Sequence, residues 1–385
     1  MNTNVQSEIS DGDRAEIESL RKLVKDELTP YYDTDFNLLR WLRGHNHNIT
    51  EILPKLRNHL TFRRSHWDLD RLADRPRDHP IHSHWQSGLS GLSGKIPNAF
   101  INIEQTGAND YWGLLQTWPI NEIMKARVYD LECMLRKVME EEKRTGKQCS
   151  VIYIMDLTGL HFDKRLPTLL SGALSSISAF MAEHYVEMIH SFVLVNVPSF
   201  ISTIWSIVKP LLPERTKNKV KILGGQWKSE ILEYANPEVL PAFWNEPNEE
   251  TFKAPIQKAI PFPESGYYNR GPLSDARQLD VAAGKTGCVS VKAEKGQRLS
   301  WIFQTDGHFA YAVYLTAADN SDVEDVSQMT AVYPRFNKVP GPTHVPLNDE
   351  ITCPETGVYL LWFSNQHAWL HTLRVSYRIK VEDAK

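Results

Sequence analysis

Cysteine is scarce in this chain: Cys133, Cys149, Cys288 and Cys353 are the only four in 385 residues, and none forms a CxxC pair. A disulfide-stapled secreted module and a zinc ribbon are both excluded by that shortage. No run of about eighteen apolar residues occurs, and the opening MNTNVQSEISDGD has no apolar stretch of signal-peptide kind. The expectation is a cytoplasmic protein with reduced thiols, in which the sequon Asn48-Ile49-Thr50 carries no glycan. Positive charge is not in excess either. With Lys plus Arg 43 against Asp plus Glu 47, the formal charge is -4, so no global field attracts nucleic acid, and any grip on phosphate must be local.

What the chain does have is material for packed cores: 42% hydrophobic and 10% aromatic residues, over a length that predicts two or three domains. From Ala15 to about Trp67 the apolar residues repeat at helical spacing, which predicts a helical cap over residues 14–67. The His-, Pro-, Ser- and Gly-rich stretch from Asp68 to Pro97 reads as loop. Short apolar runs at Phe100 to Ile103, Val151 to Leu157, Phe192 to Val197 and Val220 to Leu223 read as strands buried on both faces. Helices are expected between them, including Ile120 to Val138 and Leu166 to about His184, giving an α/β domain over residues 68–246. Closely spaced prolines mark a linker over 247–272 that hugs or leaves this domain. Beyond it the period becomes two, as in Leu373, Val375, Tyr377, Ile379 and Val381, which predicts an all-β sandwich over 273–383.

No catalytic constellation emerges. GLSGLSGKI at Gly88 to Ile96 lacks phosphate-loop spacing and the hydroxyl residue that would hold magnesium. His79, His82 and His84 lie close together, but no Cys or carboxylate partner follows at a useful spacing, so no metal is expected. Ser171-Gly172-Ala173-Leu174-Ser175 is no nucleophile elbow, since that serine must stand between two glycines after a strand. The expectation is a protein that is not an enzyme.

One segment resists a plain reading. Along Ser199 to Leu212, Phe200, Ile201, Ile204, Trp205, Ile207, Val208, Leu211 and Leu212 wrap almost completely round a helix, leaving a hydroxyl stripe at Ser199, Ser202, Thr203 and Ser206. Such a helix must be covered on most sides by protein, membrane or a hydrophobic ligand.

Its surroundings resemble the CRAL-TRIO lipid-binding family. DFNLLRWLR from Asp35, Leu60 to Arg63, IMDLTG from Ile154, His184-Tyr185-Val186-Glu187, Asn196-Val197-Pro198-Ser199-Phe200, Lys209 to Leu212, Thr216 and KVKILG from Lys219 follow the family's motifs in order. The family has proline where Val186 stands, and its usual glycine pair is replaced around Phe243-Trp244-Asn245. The resemblance implies an α/β lipid-binding domain with an N-terminal helical cap, and it makes Ser199 to Leu212 a mobile gate over an acyl cavity. The sandwich resembles a GOLD domain through GQRLSWIF from Gly296 and the stretch Gly357 to Tyr377.

The resemblance also implies a ligand. The family's phosphatidylinositol contacts fall on Glu187, Thr216 and Lys219, with His45 where an arginine is usual. Positions that contact choline phosphate in other members hold Val151, Tyr153 and Met188, which makes phosphatidylcholine the weaker candidate. The implied activity is the sequestering and exchange of a phospholipid, phosphatidylinositol first, in transient peripheral contact with membranes, with no cofactor besides that lipid and no nucleic acid. Two alternatives stand beside it: a trafficking or signalling adaptor holding a protein partner through the GOLD domain, and a carrier of a non-phosphorylated hydrophobe such as a tocopherol, retinoid or sterol precursor.

Overall fold

A computed structural model describes residues 8–162, 165–209, 214–316, 326 and 329–383. Three helices open it: α1 (Asp11–Leu23), α2 (Asp35–Gly44) and α3 (Ile49–Arg63). Each begins on a side-chain cap, from Ser10, Thr34 and Asn48 respectively, which satisfies amide donors that the first turn cannot pair. Between the cap and the sheet come α4 (Leu69–Leu72), α5 (Ile81–His84) and strand β1 (Ser87–Leu92). The expectation of loop over 68–97 is therefore corrected. Glycine and serine have poor strand propensity, but β1 is held by antiparallel pairing with β2 (Ala99–Glu104), with a register shift between Leu89 and Gly91. Gly91 sits at φ +145°, and a Cβ there would fall 2.6 Å from Val239 Cγ1.

Then follow α6 (Tyr111–Thr117), α7 (Ile120–Thr145), β3 (Ser150–Asp156), α8 (Arg165–Ser171), α9 (Ala173–His184) and β4 (Ile189–Val195). The unit closes with α10 (Phe200–Val208), α11 (Glu214–Lys219), β5 (Val220–Ile222) and α12 (Trp227–Glu230). One helix was expected from Leu166 to His184; the structure breaks it at Gly172, whose backbone (φ -102°, ψ -103°) leaves helical geometry. The five strands lie in the order β1-β2-β3-β4-β5, and β2 to β5 pair in parallel.

The sheet has two unlike faces. On one, Ile101, Ile103, Ile152, Ile154, Val193 and Val195 are buried under Trp227, Ile231, Trp244 and Phe252. The second face carries α7 and α9, with Val151 and Tyr153 in the same core as Leu131, Ile177 and Phe180. Each parallel step moves the same way across the sheet, so right-handed crossovers put all three connections, α10–α11 included, on this second face.

The proline-spaced segment hugs the domain: Phe252, Ala254 and Phe262 are buried, and Pro241 bridges Ala254. The remainder is a two-sheet sandwich. One sheet joins β7 (Thr286–Ala293), β13 (Gly357–Ser364), β9 (Phe309–Thr316), β10 (Thr330–Ala331) and β11 (Phe336–Val339); the other joins β12 (Leu347–Thr352), β8 (Arg298–Thr305), β14 (Leu373–Glu382) and β6 (Arg277–Val281). Its Cys353 is a buried free thiol. The sandwich is docked on the helical side: Lys125 Nζ lies 2.7 Å from Asp349 Oδ2, Asn121 Nδ2 donates to the Asn348 carbonyl at 2.7 Å, and Phe180 stacks on Phe336.

Candidate functional site

The second sheet face is covered around Asn102, Glu104, Val151 and Tyr153 and less so toward β4 and β5. Register places Met155, Phe192, Leu194, Val220 and Ile222 on that face, and all five are only half-buried. The reading of β4 and β5 as strands buried on both faces is thus corrected. Seven residues of β4 at about 3.3 Å each make an apolar floor roughly 20 Å long. The hydrocarbon half of one bilayer leaflet is of similar depth, about 15 Å.

The right-handed crossover from β4 to β5 puts α10 over this floor. Four of its apolar side chains, Phe200, Ile201, Ile204 and Trp205, are half-buried, while Ser202, Thr203 and Ser206 are exposed. A central core helix would bury the first group, so that explanation of the segment fails. Its described part runs Phe200–Val208; Leu211 and Leu212 lie outside the described residues. Ile207 and Val208 complete its last turn. Phe200 meets Phe162, itself 65% exposed, edge-on at 5.6 Å.

At the start of β4 stands a charged pair. Lys219, the last residue of α11, donates to Glu187 Oε1 at 3.0 Å and to the Ile189 carbonyl at 2.8 Å. Thr216 lies one turn earlier on the same helix. Glu187 occupies the left-handed region at φ 53°, an uncommon conformation for a side-chain-bearing residue. The end of α2 presses on this turn, since a Cβ on Gly44 would fall 2.1 Å from Val186 Cγ1 and 3.6 Å from Glu187 Cγ. His45, the C-cap of α2, lies flat on Trp41, with Nδ1 3.2 Å from the Trp41 carbonyl. Next to Lys219, burial first and then Lys219 and Lys221 hold the His190 imidazole below its usual pKa. The fold therefore brings Glu187, Lys219 and the α2 terminus together from three distant motifs.

At the opposite end of β4 the buried Asp156 ties three turns into one. Its Oδ1 accepts from Thr158 N at 2.9 Å, Thr158 Oγ1 at 2.6 Å and Asn196 Nδ2 at 2.9 Å, and its Oδ2 accepts from Trp244 Nε1 at 2.8 Å. Asn196 adopts φ 52°, so the chain leaves β4 and enters α10 from a fixed position. Sequence reasoning marked these turns as motifs but missed the hub, because no spacing rule links residue 156 to residue 244.

The well-covered part of the face holds a second polar group that the sequence did not disclose. Tyr153 Oη donates to Glu104, Arg127 Nη2 donates to Tyr153 Oη at 2.6 Å, and Tyr111 Oη and Trp85 Nε1 donate to Glu104 Oε1 at 2.6 and 2.9 Å. Burial, then Glu104, raises the Tyr111 phenol well above its usual pKa. Of the three neighbouring histidines, His79 packs on Trp118 and edge-on to His82, His82 on Tyr129, and His84 on Phe262. Among the described residues no three His, Cys, Asp or Glu side chains are placed to share a metal ion.

Residues 108–245 match the family model described as CRAL/TRIO domain. The stretch thus has the α/β fold class of, and is similar in sequence to, CRAL-TRIO domains. Its helical opening, residues 9–72, matches a domain of unknown function (DUF8435), and the sandwich, residues 269–385, matches the model described as "F28H7_8_C:-like, C-terminal domain". Over 384 residues the chain is 28% identical to the CRAL-TRIO domain-containing protein F28H7.8 of Caenorhabditis elegans, covering 95% of this chain and 89% of that protein. It is 22% identical over 382 residues to Protein ctg-1 of the same organism, covering 95% and 96%. The Sec14 cytosolic factor of Schizosaccharomyces pombe is 29% identical over 147 residues, which are 37% of this chain and 50% of that protein. The CRAL-TRIO match ends at Asn245, just after the Trp244 ring that caps Asp156.

Proposed function

We propose that this protein binds a phospholipid, phosphatidylinositol first, on the half-covered face of its CRAL-TRIO sheet and exchanges it between membranes under α10. One observation carries the reading: the apolar strand floor and the apolar helix α10, which a right-handed crossover puts over it, are both left half-buried. Removing two acyl chains from a bilayer costs about 0.8 kcal/mol per methylene, on the order of 25 kcal/mol in all, so the protein must rebury nearly that whole surface. A helix able to close on the floor meets that need.

The charged pair supports the choice of headgroup. An ammonium has three donors, and Lys219 directs two of them to Glu187 and the Ile189 carbonyl, so the third suits a phosphate oxygen. Glu187 suits inositol hydroxyls. Transfer of this kind makes and breaks no covalent bond. Among the described residues no helix is long and apolar enough to cross a membrane. The sandwich's resemblance to a GOLD domain favours a protein partner on that module as a second role.

Mass spectrometry of an organic extract of the purified chain tests the reading. Phosphatidylinositol is the expected cargo. A tocopherol, retinoid or sterol precursor as the dominant species would overturn the headgroup assignment, and an extract without any lipid would overturn the carrier function.

A further inference from the structure

The loop between β13 and β14 ends in two side chains with nothing to cover them: Trp369 is 94% exposed and Leu370 95%. A single exposed apolar residue is ordinary, but an adjacent Trp and Leu, both almost fully in water, are a persistent cost unless something takes them up. The loop is built rather than frayed. Asn365, buried at its base, donates from Nδ2 to the Val281 carbonyl at 3.0 Å and to the His371 carbonyl at 2.7 Å, and Ala368 N closes a turn onto the Asn365 carbonyl at 3.1 Å. From Ser364 to Leu373 (SNQHAWLHTL) there is no Asp, Glu, Lys or Arg, in a chain with 23% charged residues.

Position adds to this. His367 Nε2 lies 3.1 Å from the His308 carbonyl, and His308 lines a cavity of about 230 Å³ together with Thr168 and Gly172 of the α8–α9 segment. The loop therefore lies toward the α8–α9 segment. Leu170 of α8 is 40% exposed, and Phe162, which precedes α8 in the chain and meets Phe200 of α10, is 65% exposed.

We propose that Trp369 and Leu370 insert into the headgroup and upper acyl region of a lipid bilayer and hold the protein on the membrane at the lid side of the CRAL-TRIO domain. The chemistry selects a bilayer. Both side chains stand almost wholly in water, so a protein partner would need a deep matching pocket, whereas a bilayer accommodates an exposed pair, and the interfacial region is where Trp rings settle. The loop itself brings no Asp, Glu, Lys or Arg into the bilayer, and Asp306, which meets His371 at 3.1 Å, lies outside it in sequence and can stay at the headgroup level. Binding should then depend little on anionic lipid or salt. The proposal rests on the lipid-transfer reading only for why membrane contact is needed.

The test uses the full chain with vesicles of phosphatidylcholine, with and without phosphatidylserine. Trp369→Ala combined with Leu370→Ala should lower vesicle partitioning at least tenfold, about 1.4 kcal/mol, on both vesicle types, while the thermal midpoint and the extracted lipid cargo stay unchanged. Brominated phosphatidylcholine should quench a fluorescence component that is missing in Trp369→Phe. Wild-type partitioning in the double variant, quenching equal in wild type and Trp369→Phe, or loss of a protein partner with vesicle binding intact would each overturn the proposal. Loss of cargo in the double variant would also overturn it, whereas wild type purified without lipid would count against the lipid-transfer reading alone, since cargo is measured without vesicles.

Discussion

Replacing Lys219 by alanine removes an ammonium whose nitrogen lies 3.0 Å from Glu187 Oε1 and 2.8 Å from the Ile189 carbonyl. Two effects follow, and their sizes separate them. Both side chains of the pair are 22% exposed, so solvent screens the interaction, and its loss should cost the fold no more than about 1 kcal/mol. A bound phosphate loses a charge-assisted hydrogen bond, about 1.5 to 3 kcal/mol, equivalent to roughly ten- to hundredfold weaker binding. Fluorescent phosphatidylinositol titrated into wild type and Lys219→Ala, with thermal melts of both, reads the two effects apart. Glu187→Gln should weaken binding less, because the amide keeps an acceptor for the ammonium. Full affinity in Lys219→Ala with an unchanged melt would refute the headgroup site, and equal losses for phosphatidylinositol and an uncharged diacylglycerol would show that the lysine shapes the pocket without reading phosphate.

Ile204→Asp together with Val208→Asp should abolish lipid exchange between vesicles, since a carboxylate on the closing face cannot be desolvated cheaply; exchange at the wild-type rate would refute the gate. Asp156→Ala should lower stability by about 2 kcal/mol, because it strands the buried Trp244 donor and the half-buried Asn196 donor, and denaturant unfolding reads this directly. Burial, then Arg63, pushes the His184 imidazole down to about 3 from the ordinary 6.5. Its folded-state pKa lies below the unfolded one, so the stability it contributes is complete above about pH 6.5 and is lost as pH falls toward 3. By about pH 5 the loss is about 2 kcal/mol, and chemical denaturation against pH should show an acid limb flattened by that amount in His184→Gln; an identical limb would refute the assignment.

Local order was legible because it repeats at short range. The amphipathic spacing of α1 to α3, the buried run of β3 and the alternation along β14 are properties of neighbours, which burial on one face imposes. The sequence by itself also determined that α10 is too apolar to be an ordinary surface helix, and the order of motifs around it pointed to a CRAL-TRIO domain. Tertiary structure decided what short-range pattern cannot carry. A glycine- and serine-rich stretch became β1 because the exposed edge of β2 offered it hydrogen bonds. Gly172 divided a continuous helical pattern in two. Glu187 met Lys219 only because parallel pairing of β4 with β5 brings the end of α11 back to the start of β4. The half-buried floor, the Asp156 hub and the docking of the sandwich on α7 and α9 likewise depend on contacts between residues dozens to hundreds of positions apart, and such contacts leave no period in the chain that makes them.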